Sequence, residues 1–143
     1  MYLSAVEQRI KDSNIFEQVG TVTSFSQLKK KSIAKSTAAF VLPISEKLES
    51  QQSLGGVLEQ RSFNTFAVIV AVKNRQDKDG EKGSVQLEGL RQQLRDLIYG
   101  WSPAVGYDPI LLGDGRLLAL QEYTVFWQDQ FNTAHCATGN YQN

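Results

Sequence analysis

The residues able to do chemistry are few in this chain, and their spacing is poor for it. There is one histidine and one cysteine, the neighbours His135 and Cys136. A structural zinc site needs four ligands, and no second His or Cys exists to supply them. Neighbours on an extended chain point to opposite sides, so the two cannot face each other as a nucleophile and its base. A Ser-His-Asp arrangement would draw on the same histidine. Asp77, Asp79 and Gly80 mimic part of a calcium loop. With Gly80 at the sixth position, Arg75 falls at the first and Gln86 at the twelfth, where anionic oxygens are required. Asp108 and Glu122 are the only pair resembling a nuclease carboxylate set, and no lysine accompanies them. Gly55-Gly56 precedes a strand-like segment, not a helix, so it is no phosphate loop. The expectation is a protein without catalytic residues, metal or cofactor.

Charge points the same way. The 143 residues carry 15 Lys plus Arg and 15 Asp plus Glu. A protein that grips DNA through its phosphates shows a basic excess, so stable nucleic-acid binding is not expected. The run Lys29-Lys30-Lys31 with Lys35 reads as a solvated helix end. With a single cysteine no internal disulfide forms. The first ten residues already carry charge, unlike a signal peptide, and the longest apolar run is Phe66 to Val72. A membrane-spanning helix needs roughly 20 apolar residues, so no membrane partner is expected and the protein is read as soluble and cytoplasmic.

The elements that must position these residues follow from periodicity. Leu3, Val6 and Ile10 mark an amphipathic helix over Tyr2 to Asn14. Ile15 to Val22 reads as a strand and Ser24 to Lys31 as a short helix with a serine cap. Thr37 to Leu42 reads as a buried strand stopped by Pro43. Val57 to Val72 is the strongest strand; its second half is apolar without alternation, as in a strand covered on both faces. Lys73 to Gly83 is charged and has no apolar anchor, so it reads as an exposed loop. Ser84 then caps a helix to about Tyr99, with Leu87, Leu90, Leu94, Leu97 and Ile98 on one face and Gly100 as its stop. Ile110-Leu111-Leu112, a Gly113-Asp114-Gly115 turn and Arg116 to Leu120 read as a hairpin, followed by a strand from Tyr123. The sum is an α+β single domain over residues 1–134. It has a mostly antiparallel sheet and two main helices packed on one face. Residues 135–143 read as a flexible tail.

A set of segments resembles a known family. The set comprises Ala39-Phe40-Val41-Leu42-Pro43, Gln60, Phe66-Ala67-Val68-Ile69-Val70 and Leu87-x-x-Leu90-Arg91-x-x-Leu94. It continues with Leu97-x-x-Gly100-Trp101-Ser102-Pro103, the Gly-Asp-Gly-Arg-Leu-Leu stretch at 113–118, and Trp127 to Thr133. In order and spacing these resemble the phage tail terminator proteins, including the minor tail proteins of lambda-like phages and relatives in Mu-like prophages. The match covers roughly residues 36 to 133. The resemblance implies a structural virion protein, not an enzyme. It implies a six-fold ring that caps the tail tube, ends its growth and offers a surface to the head connector. DNA would pass through such a ring. Its partners would be copies of itself, the tail-tube protein and the connector, at the head-proximal end of the tail. A neck protein on the portal side is the alternative, and a small nuclease a more distant one.

Phe126 and Trp127 are adjacent on a strand, so one must leave the face that the other occupies. The residues expected at a subunit contact are Ile110, Leu111, Leu112, Tyr123, Phe126, Trp127 and Phe131. The loop residues Arg75, Asp77, Lys78, Asp79, Glu81 and Lys82 are expected to face tube or connector.

Overall fold

A computed structural model describes residues 2–30, 35–50, 52–74, 81–121, 123–140 and 142. The chain runs α1 (Tyr2–Ser13), β1 (Gln18–Thr21), α2 (Phe25–Lys30), β2 (Thr37–Leu48), β3 (Gln52–Leu54), β4 (Val57–Lys73), α3 (Glu81–Ile98), β5 (Leu111–Gln121) and β6 (Thr124–Asn140). The strands form one sheet in the order β1-β2-β4-β6-β5, with β3 paired to β4. Only β1 and β2 pair in parallel. The domain is therefore α+β with a mostly antiparallel sheet, as the sequence predicts.

The unbroken apolar run of β4 is explained by two covered faces. Phe66, Val68, Val70 and Val72 join Leu3, Val6 and Ile10 of α1 and Leu87, Leu90, Leu94 and Ile98 of α3 in one core. Ala67, Ile69 and Ala71 point the other way, to Phe40, Phe126 and Leu28 of α2. Each helix buries the face that its period of three and four selects. The second layer thus comes from the short crossover helix, not from another main helix. That helix is held at its start by the Ser24 hydroxyl, which accepts from the Gln27 amide at 3.1 Å.

The cover ends partway up the sheet. Beyond Phe63 on β4 and Ala134 on β6 the strands continue as an arm whose residues are mostly exposed. The arm is β3, the first third of β4 and the end of β6, closed by Gly55-Gly56 at φ +62° and +88°. Positive φ at both positions is the two-residue hairpin geometry that favours glycine.

Five expectations are corrected. Pro43 does not stop β2, which continues to Leu48 past an irregularity between Pro43 and Ser45. By then β1 has ended opposite Val41, so the ring nitrogen of Pro43 lies on a strand edge with no neighbour to bond. Ser84 lies inside α3, which starts three residues earlier at Glu81. Gly113-Asp114-Gly115 is no hairpin turn: β5 runs straight through it with a one-residue shift against β6. The hairpin is made instead at Tyr123, with φ +63°, so Tyr123 is a turn residue and not a strand residue. Finally, His135 to Asn140 are strand, paired with Ser62 to Val57. Small polar side chains suit the end of this arm, where Cys136 to Asn140 are exposed, because the ladder needs only the backbone.

Candidate assembly surface

The residues with catalytic potential are placed as structural partners. His135 stacks on Tyr107, with ring centroids 4.5 Å apart, and its Nδ1 lies 3.0 Å from Asn64 Nδ2. Cys136 donates to Glu59 Oε1 at 3.1 Å, a bond that pushes its thiol pKa up and disfavours the thiolate. Asp108 pairs with Arg61, whose pKa is raised by that hydrogen bond and charge. Tyr2 lies against Phe66 and Tyr107. Burial pushes its hydroxyl up to about 12, with Tyr107 and Glu46 adding to the effect. Among the described residues no group of three His, Cys, Asp or Glu could hold a metal ion. Glu122 and the expected loop residues Arg75, Asp77, Lys78 and Asp79 lie outside the described residues. Glu81 and Lys82 open α3.

The chemistry that the structure does assemble is an ion cluster. Asp129, on β6, has a side chain only 1% exposed. It accepts from Arg91 Nε at 2.9 Å and Nη2 at 2.8 Å, and from Trp127 Nε1 at 3.1 Å. Arg95 Nη2 lies 3.5 Å away. The Arg91 guanidinium also sits 4.2 Å above the Trp127 ring. Arg91 and Arg95 are one helical turn apart on α3, so they meet the same point of the sheet. A buried carboxylate is tolerated when paired and fully bonded, as here. Gly115 of β5 makes room for it. A Cβ there would lie 2.6 Å from Asp129 Oδ1, 3.0 Å from Trp127 Nε1 and 3.2 Å from Arg91 Nη2. Gly113 is similarly close to β6, 3.0 Å from the Gln130 carbonyl oxygen. The cluster therefore ties α3, β6 and β5 together. Its signal in the sequence is a lone acid at 129 on the side shared by Trp127 and Phe131, which demands a cation from the facing helix.

Of the expected contact residues, Ile110 and Phe131 are fully buried and Phe126 is 4% exposed. They belong to the core and cannot reach a neighbour. Trp127 is half-buried over Arg91, and Tyr123 is a half-buried turn residue. Leu111 and Leu112 are exposed, and two further leucines of the same strand, Leu117 and Leu120, are more than half or half exposed at 54% and 50%. Beside them a groove of 310 Å³ runs between α3 and β5, lined by Leu87, Arg91, Leu117, Val125 and Trp127. β5 is the last strand of the sheet, so its outer backbone is unpaired by any other strand described. Among the described residues the opposite edge is open as well along Pro43 to Leu48, where Ile44 and Leu48 are exposed. Open apolar edges are an association hazard unless association is their purpose.

Among the described residues the sheet thus has two open edges that carry exposed apolar side chains, and a buried ion cluster ties β5 and β6 to α3. The chain belongs to the phage tail terminator protein family, whose model matches residues 2–141. No curated protein matches the chain. The family is one of structural proteins of the phage tail.

Proposed function

We propose that the protein forms a closed ring, a hexamer, that caps the tail tube at its head-proximal end. The ring stops tube growth and presents its other face to the head–tail connector. The protein acts without catalysis, takes no cofactor, and lets DNA pass without gripping it. Assembly takes place in the host cytoplasm before the tail joins the head. The observation that carries this reading is the pair of unlike open edges on one sheet, in a chain of this family. Unlike patches meeting around an axis give a ring when the rotation closes. The contact assigned to β5 runs through Leu111, Leu112, Leu117 and Leu120, not through the buried Ile110, Phe126 and Phe131. The charged stretch with Arg75, Asp77, Lys78 and Asp79, before Glu81 and Lys82, is assigned to tube or connector. It offers both charge signs and no apolar anchor.

Removal of the gene from its phage tests the reading. Overlong or headless tails are expected. Tails of normal length with unjoined heads would instead point to a neck protein. In vitro, the purified protein added to polymerising tubes should halt growth and show a six-fold cap in negative stain.

A further inference from the structure

We infer that the ring contact sets α1 and β1 of one copy against α3 and β5 of the next, with Val19 opposite Leu117, Glu7 on Arg91 and Lys11 on Glu88. The inference rests on the ring reading and names its contact. The strands lie along the ring axis, so a copy turned about that axis meets its neighbour with no shift along the strands.

Three observations carry it. The first is the rows of the sheet. β1 and β5 are its two end strands and run in opposite directions. A second copy in the same orientation therefore brings its β1 antiparallel to β5. At this height β1 is the outer strand, so β5 takes a place beside it that no described strand holds. Val19, Ala39, Val70, Trp127 and Leu117 form one row across the sheet, on the side of α1 and α3. Thr21, Val41, Val68, Asp129 and Gly115 form another. With no shift, both rows continue into the next copy. Half-buried Val19 then meets exposed Leu117, an apolar cross-strand pair. Thr21 meets Gly115, which has no side chain to oppose it.

The second is the height of the helices. Thr21 Oγ1 donates to Glu7 Oε2 at 3.0 Å, and Arg91 is bonded to Asp129. Glu7 and Arg91 therefore stand over the same row, at its two ends. The guanidinium reaches the outermost strand, since a Cβ on Gly115 would lie 3.2 Å from Arg91 Nη2. α1 starts with Tyr2 against Phe66 and descends toward the Val72 end of β4. α3 rises from that end, where Leu87 and Val125 line the groove. Lys11, one turn after Glu7, and Glu88, nearly one turn before Arg91, thus lie at one height.

The third is charge. Glu88 and Arg91 line the groove beside β5, and Glu7 and Lys11 lie on the flank of α1 that meets β1. Arg91 and Arg95 share the single carboxylate of Asp129, which leaves one positive charge in excess. Glu7 of the next copy offsets it, and Lys11 offsets Glu88. Within one copy Lys11 pairs with Glu7 at 3.4 Å, an exposed helical pair of little strength. A shift of one turn either way sets like charges together, Glu7 with Glu88 or Lys11 with Arg91.

Cross-linking tests the contact. Val19 and Leu117 of one copy are separated by four strand spacings, roughly 19 Å, too far for a disulfide within the chain. In a C136S background, V19C/L117C should give an oxidised ladder of dimers, trimers and higher species, lost on reduction. V19C alone in that background should give at most dimers. In a second arm, K11E and E88K should each weaken assembly about threefold, and K11E/E88K together should restore it. Lys11 and Glu88 are exposed, so folding is expected to be unaffected, as circular dichroism would check. Rings of the unaltered protein without the ladder, or without the rescue, would overturn this contact and leave the ring standing. An unaltered protein that never self-associates, alone or with tail tubes, would overturn both.

Discussion

Replacing Gly115 by alanine tests whether the ion cluster sets the geometry of β5. The added Cβ would stand 2.6 Å from Asp129 Oδ1, and ordinary contact begins at 3.4 Å. The carboxylate must therefore retreat by about 0.8 Å, or β5 must move away by as much. A retreat of that size stretches the 2.8 Å bond from Arg91 toward about 3.6 Å, where it is no longer a hydrogen bond. The Trp127 bond to the same oxygen, 3.1 Å at rest, is lost with it. Asp129 is buried, so water cannot replace them. Loss of a charge-assisted bond at a buried acid costs about 2–3 kcal/mol. In a domain of this size that lowers Tm by about 6–9 °C. Gly89 is the internal control. It lies exposed in α3 with nothing within 4 Å of its Cβ position. Gly89→Ala should raise stability by about 0.5–1 kcal/mol through helix propensity alone. Urea unfolding followed by circular dichroism measures both. A Gly115→Ala protein within about 0.5 kcal/mol of the parent would show that the cluster does not constrain β5, and the account of that glycine would fall.

Other outcomes follow from the same contacts. Phe66 is fully buried, stacked on Phe131 at 5.4 Å and edge-on to Tyr2, so Phe66→Ala should cost about 3–5 kcal/mol in urea unfolding. The Tyr2 hydroxyl has a folded pKa raised from 10.0 to about 12, so its neutral form is favoured on folding. Its contribution is full below pH 10 and is lost as pH rises toward 12; in pH-jump unfolding, Tyr2→Phe should lessen that alkaline loss. Leu117→Lys and Leu120→Lys should leave the unfolding midpoint within about 0.5 kcal/mol and yet abolish tube capping, as read by tail lengths in the microscope. If the capped length is unchanged, the leucines are not the contact.

What the sequence made legible was whatever rested on apolar periodicity. α1, α3 and β4 announce themselves because one residue in three or four, or every residue of a doubly covered strand, must leave water. The short α2 was visible through its serine cap. The misread segments all involve backbone needs that composition does not specify. Gly113-Asp114-Gly115 has the composition of a turn, but its glycines serve close approach to β6 and do not reverse the chain. Proline interrupts a ladder only where a strand lies on the side of its missing donor, and at Pro43 that edge has no described neighbour. His135 to Asn140 carry no apolar signal because the arm has no core. Of the residues expected at a subunit contact, alternation turns Ile110, Phe126 and Phe131 inward, while Leu111 and Leu112 of the same region are exposed. The cluster of Arg91, Arg95 and Asp129 is not legible locally, because Arg91 and Asp129 lie 38 residues apart on different elements.

The seventeen pairs between β4 and β6 run from Val57 with Asn140 to Lys73 with Thr124 without a bulge. At about 3.3 Å per residue they make a ribbon roughly 56 Å long. Sheets bend sharply where a bulge interrupts the ladder. The β4–β6 pair has no such hinge, so it behaves as a single stiff beam, clamped by helices at one end and largely uncovered at the other. A load applied at the Gly55-Gly56 tip is not absorbed midway but is carried to the clamped end. There Asp129 and the two arginines fix β6 to α3, so the ion cluster is the fulcrum of the beam.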